Sequence, residues 1–202
     1  MTLHEQFGDI DIYLFDQLLR GRITPGMRIL DAGCGGGRNL VYLLRQGFEV
    51  CGNDSNASAI DHVRALAASL APGRTHDFRV EAIEDTSFPG GHADVVMASA
   101  VLHFARDAAH FEVMLKQLFR VARPGGLFFA RLASNIGIAD RLTPLGNGRF
   151  RLPDGSDRFL VDAGVIEQWT ERLGGVLLDP IKTTVVHGQR SMTTWVVRVA
   201  QS

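Results

Sequence analysis

The segment from Arg28 to Asn39, which reads RILDAGCGGGRN, constrains the fold of this chain more than any other segment. An apolar run ends at Asp31, a stretch of small residues follows it, and an apolar helical pattern begins at Asn39. Glycine accepts positive φ angles and has no Cβ, so a ligand can lie against bare backbone at such a turn. A strand, a glycine-rich turn and a helix in this order build a nucleotide-sized pocket at the carboxyl end of a parallel strand.

The glycine spacing separates two classes of ligand. The dinucleotide fingerprint requires G-x-G-x-x-G, and starting from either Gly33 or Gly35 the third glycine is missing. The pattern present is an acidic residue followed by alternating glycines, Asp31-x-Gly33-x-Gly35-x-Gly37. This pattern resembles the first motif of class I S-adenosylmethionine (SAM) dependent methyltransferases. A glycine-rich turn that binds no ligand is the alternative interpretation.

A second acidic residue stands where a ribose-binding carboxylate is expected. The segment Phe48 to Asn53 predicts a short strand, and Asp54 follows Gly33 by 21 residues, close to the usual spacing of ~20. An ionised carboxylate accepts strong hydrogen bonds from both ribose hydroxyls. The alternative role for Asp54 is to cap the following helix, for which Ser55 and Asn56 are also available.

The resemblance implies a wider set of cofactor-binding residues around these two motifs. In relatives the adenine lies near the start of the loop after the third strand, often beside an acidic side chain, and here Ala82 takes that position. Glu84, Asp85 or backbone amides are the candidates to replace the missing acid. Arg38 is a candidate to pair with the carboxylate of SAM. The predicted cofactor-binding set is Asp31, Gly33, Cys34, Gly35, Arg38, Asp54, Ser55, Ile83, Glu84 and Ser99.

Strand and helix patterns alternate along the rest of the chain, and they predict an α/β fold. We expect a Rossmann-like, doubly wound, mostly parallel seven-stranded sheet with helices on both faces. The turn Arg123-Pro124-Gly125-Gly126 before the fifth strand is a further, weaker match to the family. The later strands are predicted at Phe78–Ala82, Asp94–Ser99, Leu127–Ala130, Val176–Lys182 and Thr193–Val199, and the later helices at Ala57–Ala71, Ala108–Ala122 and Ala163–Leu173.

The chain of 202 residues is expected to form a single methyltransferase domain. A helix is predicted at about residues 9–20, where members of the family often cover the cofactor. Tyr13 or Phe7 could then line the pocket, with ordinary core packing as the alternative. Residues 133–162 are rich in glycine and proline and contain a small hairpin pattern around Asp154-Gly155, which favours a substrate-covering segment.

Composition narrows the possible partners and the location. The net charge is −1 and basic residues are scattered, so no nucleic-acid or membrane-surface partner is expected. The sequence shows no signal-peptide pattern and no apolar run of the ~20 residues that a membrane span needs, so a cytoplasmic location is expected. Cys34 and Cys51 are interpreted as packing residues. The oligomeric state stays open, with a homodimer among the options.

The resemblance implies methyl transfer from SAM, which leaves S-adenosylhomocysteine, to an unidentified small-molecule acceptor. Ser99-Ala100-Val101-Leu102 is not the Pro-Pro-aromatic box of enzymes that methylate base or amide nitrogens, and no Cys/His pattern indicates a metal. His103 follows the fourth strand and is a candidate general base, with a packed histidine as the alternative. The competing function is a SAM- or nucleotide-binding module without methyl transfer, and an NAD-dependent oxidoreductase ranks third because the glycine spacing fails.

Overall fold

The computed structural model describes residues 2–201, which form eleven strands, six α-helices and three short 3-10 turns. No helix among these residues has the length and apolar character needed to cross a membrane. The helices are α1 Leu3–Phe7, α2 Ile12–Leu19, α3 Val41–Arg45, α4 Ala57–Leu70, α5 Ala108–Val121 and α6 Ala163–Arg172. The strands are β1 Arg28–Ala32, β2 Glu49–Asp54, β3 Asp77–Val80, β4 Ala93–Ser99, β5 Ala122–Ala133, β6 Thr143–Gly146, β7 Arg149–Arg151, β8 Asp157–Phe159, β9 Val176–Leu177, β10 Lys182–Val186 and β11 Arg190–Arg198.

The central sheet has the order β10-β11-β5-β4-β1-β2-β3, and β9 adds a short pairing to β11. Five neighbouring strands of this sheet run parallel: β3, β2, β1, β4 and β5. Strand β11 is antiparallel to β5, β9 and β10. The chain moves outward in one direction from β1 through β2 to β3 and in the other from β4 to β5. Such a reversal opens a crevice at the carboxyl ends of the two central strands, here β1 and β4.

Alternate residues of the central strands enter two separate apolar clusters, as the two-residue period of a strand requires. In β5, Phe128 lies in the cluster that contains buried side chains of α5 and α6, whereas Phe129 lies in the cluster with those of α2, α3 and α4. The sheet is therefore covered by helices on both faces. This arrangement confirms the predicted Rossmann-like, doubly wound, mostly parallel fold, with β9 as an eighth strand beyond the seven expected.

A second, small sheet lies within the irregular segment 133–162. Its three antiparallel strands have the order β6-β7-β8. The predicted hairpin around Asp154-Gly155 is present as β7 and β8, and β6 was not predicted. Phe159 anchors this sheet, since its ring stacks on Phe111 of α5 at a centroid distance of 4.9 Å.

Two helices differ from the sequence prediction near the amino terminus. The predicted helix at 9–20 begins only at Ile12, because Asp11 is its N-cap and accepts a hydrogen bond from the Tyr13 amide. A separate helix, α1, precedes it. The helix expected from Asn39 begins at Val41, because the amide of Leu40 still bonds to the Gly37 carbonyl in a turn.

The predicted fifth strand and the predicted strand Val176–Lys182 also differ from the structure. β5 begins at Ala122, before the RPGG turn, because its pairing with β4 jumps from Ala122 to Leu127 and loops out the four residues between them. The predicted strand Val176–Lys182 is wrong as a continuous element. Its start forms the short β9, and its end begins β10, which pairs with β11.

We expect the core of this sheet to be sensitive to the loss of a large side chain. Phe128 is fully buried and its ring contacts Phe119 and Trp195 at 4.8 and 5.2 Å between centroids. Phe128→Ala should lower the free energy of unfolding by about 3–5 kcal/mol, because it removes apolar contact and leaves a cavity. In urea unfolding, the exposed control Val113→Ala should change it by less than about 0.5 kcal/mol. Equal effects of the two substitutions would contradict this packing.

Candidate functional site

Three cavities adjoin one another at the crevice between the carboxyl ends of β1 and β4. We name them the glycine-turn cavity, the Asp54 cavity and the arginine cavity, with volumes of about 540, 600 and 280 Å³. Ala100, which follows β4 and has a φ of +62°, borders all three cavities. Gly33, which follows β1, borders the first two. The site is therefore continuous around the ends of the two central strands.

The glycine-turn cavity is formed by residues 33–39, by Ser99 at the end of β4 and by α1 and the residues after it. Four of its glycines, Gly8, Gly33, Gly35 and Gly37, have positive φ, and two of these differ in the space around them. At Gly33 a Cβ would lie 2.5 Å from Val101 Cγ2, so packing alone demands glycine. At Gly35 a Cβ would meet no protein atom within 4 Å. The bare backbone of Gly35 therefore faces open space in the cavity, as expected of a surface against which a ligand lies.

The end of β2 holds the glycine turn in place. The Asn53 carbonyl accepts hydrogen bonds from the amides of Gly33 and Cys34 at 2.8 and 3.0 Å. Asp54 Oδ2 accepts the Gly35 amide at 2.9 Å. Three successive amides of the turn are thus bonded to two successive residues of β2.

Asp54 is not the cap of α4. Asn56 caps that helix, and its side chain accepts the amides of Ser58 and Ala59. The carboxylate of Asp54 lines the cavity that carries its name, together with Ser55. It retains acceptor capacity there, since each carboxylate oxygen accepts one hydrogen bond from a backbone amide and has a second lone pair.

The far side of the Asp54 cavity is formed by the segment after β3. Ala82, Ile83 and Glu84 line it, whereas Asp85 does not. Glu84 Oε1 accepts a hydrogen bond from His110 Nε2 at 2.7 Å. Partial burial works to raise the pKa of Glu84, but hydrogen bonds to its carboxylate from the backbone and from His110 outweigh it, and the pKa lies below its usual value. Glu84 is thus an ionised acceptor in the same cavity as Ala82, which takes the position of the expected acid.

Asp31 is a buried carboxylate at the end of β1. Its exposed fraction is 2%, and its side chain makes no hydrogen bond with the residues that the structure describes. Burial raises its pKa to about 7; the positive charge of Arg38 opposes this rise, and the carboxylate of Asp54 adds to it. A buried acceptor of this kind is costly for the free protein and would be stabilised by a cationic ligand.

Arg38 and Ser99 close the glycine-turn cavity from opposite sides. An Arg38 guanidinium nitrogen, Nη2, donates to Ser99 Oγ at 3.2 Å, and the rest of the Arg38 side chain is exposed. This contact places the positive charge of Arg38 at the carboxyl end of β4. It therefore provides a cation in the same cavity as the bare glycine backbone.

The arginine cavity is lined by side chains from β5, the small sheet and the hairpin of β10 and β11. His103, at its inner end, has an exposed fraction of 6%, and its Nδ1 accepts the Ala133 amide at 3.3 Å. Burial, with a smaller contribution from the charge of Arg158, lowers the pKa of His103 to about 4. The ring is therefore neutral near pH 7, and its hydrogen is on Nε2 because Nδ1 is an acceptor. The lining residues are Ala100, His103, Arg131, Ala133, Leu152, Asp154, Ser156, Arg158, Val186, Arg190 and Met192.

The structure brings together nine of the ten predicted cofactor-binding residues as lining of the first two cavities. Asp31 is not part of the lining and lies behind it in β1. Phe7 and Tyr13 were expected as possible pocket residues, and neither lines any of these three cavities. Phe7 stacks on Tyr42, and the Tyr13 hydroxyl lies 2.7 Å from Thr184 Oγ1.

Sequence reasoning missed most of the lining that comes from α1 and the residues after it, from α4 and α5, and from the segment after β4. The Asp54 cavity also includes Val101, Phe104, Arg106, His110 and Met114, and the glycine-turn cavity includes His4, Glu5, Gly8, Asp9, His62 and Leu66. The position of residues 100–104 after a buried strand was a usable signal, because such segments border the crevice of doubly wound sheets. The residues from α1, α4 and α5 offered no comparable signal.

A family model and relatives of known sequence agree with this geometry. Residues 30–130 match the model described as "Methyltransferase domain". The match covers half of the chain, which therefore belongs to this methyltransferase family, and the predicted class I SAM-dependent methyltransferase family is confirmed. A ubiquinone biosynthesis O-methyltransferase of Chelativorans sp. (strain BNC1) is 31% identical over 170 residues, which cover 77% of this chain and 64% of that relative. The chain spans less than two thirds of the length of the curated relatives that it matches first.

Two solved structures share the fold. A SAM-dependent methyltransferase from Methanosarcina mazei superposes with a TM-score of 0.72 at 21% identity, covering 92% of this chain and 98% of that one. The [4+2]-cyclase SpnF superposes with a TM-score of 0.74 at 15% identity, covering 100% of this chain and 89% of that one. At these identities the likeness concerns the fold alone.

The buried carboxylate of Asp31 should make stability depend on pH. Its pKa is raised on folding, so the native state binds more protons than the unfolded state between about pH 4 and pH 7, and stability falls as pH rises through this window. Asp31→Asn removes this dependence. In urea unfolding, the free energy of unfolding of the variant, relative to that of the wild type, should rise by about 2 kcal/mol from pH 5 to pH 8. Effects of the substitution on packing do not depend on pH, so they cancel in this difference. Parallel pH profiles for the two proteins would contradict the buried, ionisable Asp31.

Proposed function

We propose that this chain is a SAM-dependent methyltransferase that acts on a small molecule. The observation that carries the proposal is the junction of three cavities at Ala100. Two of them are large and border the family's glycine motif, and the third opens beside them on the other side of the same residue. A cofactor site with an adjoining acceptor site is the arrangement that a group transfer between two molecules needs.

The residues of the first two cavities, together with Asp31 behind them, fit SAM group by group. The bare backbone at Gly35 accepts a closely placed ligand, and the unpaired Asp31 carboxylate suits a cationic amino group. Arg38 is available for the carboxylate, and Asp54 for the ribose hydroxyls. When bound, SAM supplies a methyl group on a positively charged sulfonium, which becomes neutral as the methyl leaves.

The adenine would lie in the remainder of the Asp54 cavity. Ile83 and Met114 provide apolar lining there, and Glu84 provides an ionised acceptor. The hydrogen bond from His110 holds that carboxylate in place, with Arg106 at 3.4 Å from the same oxygen. We therefore assign Glu84 the role of the missing acid at Ala82.

The arginine cavity is the proposed acceptor site. The alternative function, a binding module without methyl transfer, would be favoured if Phe104 and the segment 133–162 filled this space. Phe104 instead is 57% exposed and borders the Asp54 cavity. Leu152, Asp154 and Arg158 of the segment line the arginine cavity and leave its volume open. We assign residues 133–162 the role of covering the acceptor.

His103 is better suited to donate a hydrogen bond to the acceptor than to remove its proton. Its low pKa makes it a weak base, and its Nδ1 is occupied by the Ala133 amide. Efficient general bases have a pKa near the operating pH. We therefore expect catalysis to rely on positioning of the acceptor and not on removal of a proton by His103. The acceptor atom should then be one that accepts a methyl group without such deprotonation.

A reaction other than methyl transfer is the second candidate. The likeness to the [4+2]-cyclase SpnF illustrates that this fold carries other chemistry. The same three cavities would then hold a cofactor and a substrate between which no methyl group passes. Detection of S-adenosylhomocysteine during turnover separates the two functions.

The first test is calorimetric titration of the purified protein with SAM, S-adenosylhomocysteine and NAD. We expect micromolar binding of the first two and no binding of NAD, because the glycine spacing does not fit a dinucleotide.

Asp54→Ala should weaken SAM binding by more than about 1 kcal/mol, since it removes a charged acceptor and also releases the Gly35 amide. The exposed control Asp61→Ala should bind normally. Unchanged binding in Asp54→Ala would remove the ribose assignment.

A glycine pair tests whether the turn contacts the ligand. Gly35→Ala places a Cβ into the glycine-turn cavity and should reduce SAM binding at least about tenfold, because it occupies space where the ligand approaches. Gly91→Ala is a matched control, since its φ of +67° imposes similar strain and its Cβ also meets no atom within 4 Å, but it lines no part of the site. If both variants fold and bind SAM equally well, the turn has only a structural role.

A further inference from the structure

We infer that the methyl acceptor is a small organic carboxylate, held in the arginine cavity by Arg158 and Arg190 with help from His103. This inference rests on the proposed function, because it assigns the substrate class of the same site. It is carried by the positions, partners and charges of the side chains that line the cavity.

Neither arginine forms a close ion pair with a carboxylate of the described residues, although the charges of both act on Asp154. Among the described residues, no ion pair within 4.0 Å includes Arg158 or Arg190. Arg158 Nη1 donates to the Asp157 carbonyl at 2.8 Å and its guanidinium lies 4.8 Å from the centre of the Phe104 ring, so its position is defined while its remaining N–H groups stay available. A guanidinium with free donors is the group best matched to a carboxylate.

The other charges of the cavity leave a positive balance. Arg131 is neutralised by the buried Asp11, with Nη1 and Oδ2 at 2.7 Å. Asp154 supplies one negative charge against the two positive charges of Arg158 and Arg190. The lowered pKa of His103 keeps its ring uncharged near pH 7. Burial is the main cause of the lowering, and the positive charge of Arg158 contributes to it. The cavity therefore carries an excess of positive charge when it is empty.

Hydrogen-bond donors also outnumber acceptors on the cavity wall. Asp154 Oδ1 already accepts the amide and the hydroxyl of Ser156, at 3.0 and 2.6 Å. His103 presents an Nε2–H that bonds to no described residue, because its Nδ1 is the acceptor of the Ala133 amide. A ligand rich in acceptors would satisfy these donors, whereas a neutral or cationic ligand would leave them unpaired.

The size and the remaining lining restrict the ligand further. A volume of about 280 Å³ is at the lower end of the range for small-molecule sites, so the ligand is compact. Leu152, Val186 and Met192 add an apolar wall beside the arginines. A carboxylate attached to a small apolar or aromatic body matches both parts of the cavity.

The position of Arg158 connects this cavity to the cofactor site. Its guanidinium contacts Phe104, which borders the Asp54 cavity, while Arg158 itself lines the arginine cavity. Ala100 borders both. A carboxylate anchored by the two arginines would therefore have its remaining atoms confined near the end of β4.

The test is calorimetric titration with benzoate and with its neutral analogue benzamide, both alone and with saturating S-adenosylhomocysteine. We expect benzoate to bind at least about tenfold more tightly than benzamide, because only the anion pairs with guanidinium. Arg158→Gln and Arg190→Gln should each weaken benzoate about tenfold or more and leave S-adenosylhomocysteine affinity unchanged. Arg149→Gln removes a charge from the same small sheet outside the cavity and is expected to bind benzoate as the wild type does.

The outcomes separate the two proposals. Binding of S-adenosylhomocysteine without binding of benzoate, or equal binding of benzoate and benzamide, would overturn the carboxylate inference and leave the proposed function intact. Benzoate affinity that is unchanged in both arginine variants would also overturn it. Binding of benzoate by a wild-type protein that binds neither SAM nor S-adenosylhomocysteine would overturn the proposed function, and with it the acceptor role of the cavity. Unchanged S-adenosylhomocysteine affinity in each variant shows that the variant is folded.

Discussion

The site depends on how the end of β2 holds the turn after β1. The Asn53 carbonyl and the Asp54 carboxylate accept the amides of Gly33, Cys34 and Gly35 in succession. These bonds continue the parallel ladder of β1 and β2 beyond the strands and turn the backbone toward the crevice beside β4. The same carboxylate remains an acceptor toward the Asp54 cavity. Asp54 therefore orders the glycine turn and is also available as an acceptor for a ligand, so one acidic residue affects both the turn and the cavity.

Buried charge at this site is a cost that the free protein bears. Asp31 stands in β1 without a hydrogen-bond partner among the described residues, and burial disfavours its ionised form. The nearest positive charge that affects it is that of Arg38, whose side chain is mostly in solvent. A cationic ligand group bound beside Asp31 would relieve this cost. This is the usual relation between stability and function at a binding site.

The arginine cavity is built in a different way from the glycine-turn and Asp54 cavities. Its arginines come from the small sheet and from β11, which are far apart in the chain, and they converge only because Phe159 packs on α5 and β11 pairs with β5. The charge of this cavity is therefore a property of the packing between the small sheet and the main sheet. A change in residues 133–162 could alter the acceptor without altering the glycine turn, since the two parts share few residues.

Local sequence patterns were sufficient to predict the family, the parallel core of the fold and much of the lining of the glycine-turn and Asp54 cavities. These rest on local patterns: the glycine spacing needs no distant residue to be recognised, and Asp54 follows at a distance set by one helix and one strand. The tertiary structure decided the rest. The surroundings of Arg158, the tautomer of His103 and the hydrogen bond that holds the Glu84 carboxylate depend on neighbours distant in sequence. The same holds for the strand boundaries, because the looped-out turn in β5 is defined by its pairing with β4 and not by its own residues.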